Sequence, residues 1–146
     1  MPRIDESQDP VELEINPDKV CFIILKAHEF DAKVAPESID EGSAPADEGE
    51  RVILEEYKDD STFQELYDAI DGLNEDEVVD LIAIAWVGRG DFARSEWAEA
   101  RALAAERHRR HSAEYLTGIP TLGDFLEAGL EELGFDLEDY ENGRLL

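Results

Sequence analysis

The chain is poor in cysteine, in methionine and above all in basic residues: one Cys, one Met, and 13 Lys and Arg against 38 Asp and Glu. With Cys21 alone there is no internal disulfide and no zinc site built from cysteines. Cys21 stands in the run VCFIIL with no activating base beside it, which reads as a small buried hydrophobe. The shortage of bases sets the formal net charge at −25. Phosphate affinity needs clustered Lys and Arg, so direct binding to nucleic acid or to an anionic membrane is not expected. The same charge favours solubility, cations or a basic protein partner. No apolar run approaches the roughly 20 residues of a bilayer span. The opening MPRIDESQDP lacks the apolar core of a signal peptide, and a cytoplasmic location is the expectation.

What is present suffices for one domain: 146 residues, 42% of them hydrophobic. Residues 1–15 carry five acids and one Arg without a helical stripe and read as a flexible acidic arm. Asn16-Pro17 then starts a helix expected over 17–32, with Val20, Ile23, Ile24, Ala27 and Phe30 on its buried face. Residues 35–50 hold six acids, two Pro and two Gly, a composition that predicts a disordered acidic linker. RVILEEY (51–57) reads as a helical turn or extended segment, because no second strand is evident to pair with it.

Ser61 to Gln64 has capping-box spacing ahead of a helix over 62–73, with Phe63, Leu66, Tyr67 and Ile70 on one side. Asn74 and Glu77 form a second box, and VVDLIAIAWV behind them is apolar all round apart from Asp80. That pattern predicts a buried central helix over about 75–87, stopped by Gly88 and Gly90. A fourth helix is expected from about Ser95 to Leu116, and a fifth from Thr121 and Asp124 to Gly134. Residues 135–146 form an acidic tail. The expectation is an all-α fold of about five helices in a small bundle, occupying 16–134.

Three of the 13 basic residues and two of the three histidines crowd into ERHRRHSAEYL (106–116). On one continuous helix, Trp97, Ala100, Ala104, His108, His111 and Tyr115 share a stripe on its core-facing side, so His108 and His111 are expected to be buried against the central helix. Arg101, Arg107, Arg109 and Arg110 then fall near about 40°, 280°, 120° and 220° from Trp97, so they diverge and make no phosphate patch. Arg107, flanking the stripe, is the arginine expected to reach Asp80. His108 and His111 are candidate metal ligands by spacing alone, but zinc wants at least three protein ligands, and no HExxH or Glu-x-x-His motif accompanies them. His28 shows no partner in sequence. GRGD (88–91) reads as a helix stop, with Asp91 placed to cap the next turn, and no catalytic constellation or cofactor motif emerges.

The stretches LNEDE, AWVGRGD and YLTGIPTLGDFLEAGL resemble a family of small, mostly alphaproteobacterial proteins of unknown function. The similarity spans most of residues 15–134. It implies a bacterial cytoplasmic protein and brings no activity, cofactor or catalytic residue with it.

The resulting expectation is a non-enzymatic protein-interaction or accessory-subunit module with a strongly acidic surface. Phe135, Leu137, Tyr140, Leu145 and Leu146 are candidate anchors in a tail that folds onto a partner, a basic one by charge. One alternative is a nucleic-acid mimic that occupies a DNA- or RNA-binding protein. Another is a metal protein or enzyme using His108 and His111 with Glu114, Tyr115 or Asp124. Oligomeric state stays open, since the Trp97–Tyr115 stripe fits a second copy as well as its own core.

Overall fold

The computed structural model describes residues 11–38, 60–108 and 111–137, with the backbone alone for 34–38. Among these residues every element is helical: α1 (Pro17–Ser38), α2 (Ser61–Asp71), α3 (Glu75–Arg89), α4 (Trp97–Arg107), α5 (Ser112–Thr117) and α6 (Leu122–Glu132), with a 3₁₀ turn over Arg94–Glu96. The all-α bundle expected from the sequence is therefore observed, with six helices where about five were expected.

The helix starts follow from capping chemistry. Asn16 Oδ1 accepts from the Asp18 N–H at 2.8 Å, with Pro17 at the first helical position, where no N–H is needed. At α3 the reciprocal box forms: Asn74 Oδ1 accepts from Glu77 N–H at 2.8 Å and Glu77 Oε1 from Asn74 N–H at 2.9 Å. For α2 the cap is Asp60 and not Ser61; its carboxylate accepts from Thr62 and Phe63 N–H at 2.8 and 3.1 Å. Helix α1 continues past Ala32 to Ser38, so the beginning of the 35–50 stretch is helical. The rest of that stretch, RVILEEY and residues 1–10 lie outside the described residues.

Helix α3 is the centre. Every residue from Val78 to Val87 is buried, as its all-round apolar pattern required. It packs most extensively on α6 and on α4; α1 covers α6 and α2, and α2 carries α5. The expected core residues of α1 (Val20, Ile23, Ile24, Ala27, Phe30) and of α2 (Phe63, Leu66, Ile70) are all buried, and so is Cys21. The α3–α6 crossing brings backbone against backbone. A Cβ on Gly88 would lie 1.7 Å from the Phe125 carbonyl oxygen, and one on Gly129 would lie 2.1 Å from that of Ile84. Gly88 is thus a packing residue inside α3, and Gly90, at φ 94°, ends the helix in the left-handed conformation that glycine favours.

Asp80 is the polar exception in α3, and it is fully buried. Its Oδ2 accepts from the backbone N–H of Glu14 and, at 3.2 Å, of Ile15; its Oδ1 accepts from Arg101 Nε at 2.5 Å. One carboxylate therefore joins α3 to α4 and to the segment before α1. The expected partner, Arg107, is replaced by Arg101, because α4 meets α3 along Ala100 and Ala104 and brings position 101 beside Asp80. Residues 11–15 are held against the bundle and not loose: Ile15 is buried and Val11 N–H donates to Leu133 O at 3.1 Å. Removing a partner of a buried charge leaves that charge uncompensated. Arg101→Ala should cost about 2–3 kcal/mol in urea unfolding, and Arg107→Ala less than about 0.5 kcal/mol; equal losses would refute the assignment.

Candidate functional site

The expected helix over 95–116 is interrupted. Helix α4 ends at Arg107, His108 leaves helical geometry, and His111 takes φ 59° before α5 begins. The rings explain what the break does. His108 and Tyr115 stack with centroids 4.1 Å apart and planes 25° from parallel. Seven residues of continuous helix would separate them by about 10 Å along the axis, so the chain must turn back for the rings to meet. His111 sits in the left-handed region, which costs a non-glycine residue roughly 1–2 kcal/mol. Ser112, a residue type favoured at helix starts, was the local sequence signal for a new beginning.

His108 also meets the edge of Trp86 on α3, centroids 5.8 Å apart, so the inward reading of this histidine holds. The Trp86 indole N–H donates to Tyr115 Oη at 3.0 Å, and Phe92 stacks on Trp86 at 6.0 Å. Leu103, Arg89, Asp91 and Arg107 complete the lining of an open hollow of about 590 Å³. Arg89 is fixed by Asp91, whose Oδ2 accepts from its Nε and Nη2 at 2.9 and 2.7 Å. Asp91 therefore bonds back to Arg89; the following turn is instead started by Glu96, whose Oε1 accepts from Ala93 N–H at 2.8 Å. Glu114 is the acceptor of Tyr67 Oη at 2.6 Å, which pushes the Tyr67 hydroxyl up to about 12. Trp86 forms the buried floor of the hollow, half-buried Phe92, Leu103, His108 and Tyr115 its sides, and Arg107 and the Arg89–Asp91 pair its charged rim, on a chain of net charge −25.

His111, by contrast, points out: its side chain is 80% exposed and 3.9 Å from Glu114. The two histidines belong to no three-residue metal-ligand group among the described residues. Arg109 and Arg110 lie outside the described residues, and the single-helix projection used for them stops applying at His108. Of the tail anchors, Leu137 is buried and Phe135 packs half-buried against the core; Tyr140, Leu145 and Leu146 lie outside the described residues.

Residues 63–135, half of the chain, match a family described as a protein of unknown function, DUF3775. The chain belongs to this family. No curated protein and no solved structure matches it. The DUF3775 segment runs from Phe63 in α2 to Phe135 beyond α6, and so contains every wall of the hollow and leaves out α1. Among the described residues no helix is long and apolar enough to cross a membrane.

The shifts of His108 and Asp31 have opposite consequences for stability. Burial, reinforced by Arg107, pushes the His108 imidazole below the usual histidine range. A lowered folded-state value means the stability due to His108 is present above about pH 6.5 and is lost as pH falls through the folded value. The Tm advantage of the wild type over His108→Ala should therefore shrink between pH 7.5 and pH 5. On α1, burial pushes the Asp31 carboxyl up to about 6; Asp124 adds to this, and His28 opposes it. Here the sign reverses: the favourable contribution is present below about pH 4 and lost as pH rises through about 6. Asp31→Asn should raise Tm at pH 7.5 and leave it little changed at pH 4.5, which thermal melts at both pH values check.

Proposed function

We propose that this DUF3775 protein is a non-enzymatic protein-interaction module of the bacterial cytoplasm, and that the hollow between α3, α4 and α5 is where its partner is anchored. The observation that supports this reading is the composition and wiring of the walls. Trp, Tyr and Arg are the residue types that dominate binding energy at protein interfaces, and here they converge at one place on an otherwise acidic chain. The Trp86 N–H and the Tyr115 hydroxyl are engaged with each other, and Arg89 with Asp91, so the half-buried aromatic rims and the charge beside them are held in a fixed arrangement. Such a preformed seat lowers the ordering cost of binding.

The net charge of −25 attracts a basic partner from a distance and raises its association rate. Within that field the hollow suits a planar or apolar anchor side chain with a carboxylate beside it, which the exposed Arg107 receives. The bacterial and cytoplasmic parts of the proposal rest on the family resemblance of LNEDE, AWVGRGD and YLTGIPTLGDFLEAGL.

The test is affinity purification from the source cell with three forms of the full chain: wild type, a Leu103→Glu/Arg107→Glu double variant, and Glu131→Gln on α6 as control. A basic protein retained by wild type and control, lost with the double variant and released by added salt, is the expected result. Recovery of the same proteins by all three forms, or of none by the wild type, would overturn the proposal.

A further inference from the structure

His28 has no sequence neighbour that explains it, yet the fold surrounds it with acid. It lies on α1 in contact with the first turn of α6. A Cβ on Gly123 would approach the imidazole Cδ2 to 2.2 Å and Nε2 to 2.7 Å, so only glycine at that position lets the ring sit against the α6 backbone. In that seat Nε2 is shielded from solvent and has no hydrogen-bond partner. Asp124 Oδ1 is 3.6 Å from it, within ion-pair reach but too long for a hydrogen bond. A shielded polar atom without a partner is rare and costly in a folded protein.

The distance has another meaning. Two ligands bound about 2.1 Å from a tetrahedral ion lie about 3.4 Å apart. Glu127, one turn beyond Asp124 on α6, supplies a third donor, and ligand atoms of His28, Asp124 and Glu127 all lie within 4.8 Å of one another. The three come from two packed helices, so the fold brings them together without relying on a loop. Asp124 is 65% exposed and the His28 side chain 39%, so the cluster is reached from solvent on its carboxylate side, with the shielded Nε2 at its inner end.

We propose that His28, Asp124 and Glu127 form a binding site for one divalent transition-metal ion of the zinc type. One imidazole and two carboxylates make the three-ligand set that leaves a coordination position for water. The ion satisfies Nε2, which no hydrogen bond reaches, and neutralises carboxylates that the fold has placed on one another. The site lies apart from His108 and His111, the pair that sequence spacing had brought forward, and it is independent of the partner-binding proposal.

The test is calorimetric titration of zinc chloride into the full chain after chelator treatment, in 0.15 M salt with excess magnesium to occupy the diffuse acidic surface. The expected result is one saturable equivalent, with affinity reduced roughly tenfold or more in Asp124→Asn and in Glu127→Gln, since even residues behind a metal's direct ligands are worth roughly 10–100-fold. Cobalt substitution should give visible absorption that is lost in His28→Gln, and His111→Ala should behave as wild type. Circular dichroism of each variant separates loss of the site from loss of the fold. Weak uptake at several equivalents, or binding equal in the wild type and all three ligand variants, would overturn the site.

Discussion

A fully buried carboxylate at the middle of an otherwise apolar helix holds this fold in register. Asp80 receives two backbone N–H groups from the segment before α1 and the guanidinium of Arg101 from α4. Taken out of water, such a group is tolerable only with its hydrogen bonds made, and each bond here comes from a different part of the chain than α3 itself. The core could be assembled from apolar contacts in more than one rotation of α3; the requirement that Asp80 meet Arg101, Glu14 and Ile15 selects one. The backbone contact of Gly88 and Gly129 between α3 and α6 then sets how closely the two helices cross.

From that frame the aromatic corner follows. With α4 fixed by Arg101, its last turn delivers Leu103, Arg107 and His108 to the end of α3, where Trp86 and Phe92 lie. The chain then reverses through His111, in a backbone conformation that histidine adopts at some cost, and returns Tyr115 onto His108. A strained backbone residue beside a packed aromatic cluster is held in place by the contacts around it. The proposed role as a partner-binding seat uses this rigidity.

The α1–α6 contact raises a different problem, since it places Asp31, Asp124 and Glu127 around one imidazole on a chain already at −25. Burial, with a smaller contribution from Asp124, raises the protonation range of Asp31 there, and His28 opposes it. The two helices pack closely at Gly123, and beneath that rim Val20, Ile23, Ile24, Leu122 and Leu126 are buried.

The sequence by itself determined the helical class, the central position of α3 and most of the buried faces, because these depend on local periodicity and on caps such as Asn74–Glu77 that act within one turn. The stripe shared with Ala100 and Ala104 turned both His108 and His111 inward; this holds for His108, and the break after Arg107 turns His111 out to solvent. The tertiary structure decided what periodicity cannot encode: that Arg101 and not Arg107 meets Asp80, that the helix breaks so that His108 and Tyr115 can stack, and that His28 finds Asp124 and Glu127. Each of these joins residues from separate elements, or, for His108 and Tyr115, from the two sides of a chain reversal. The distances that matter were therefore set by how helices cross and turn back, and not by the spacing of residues along any one of them.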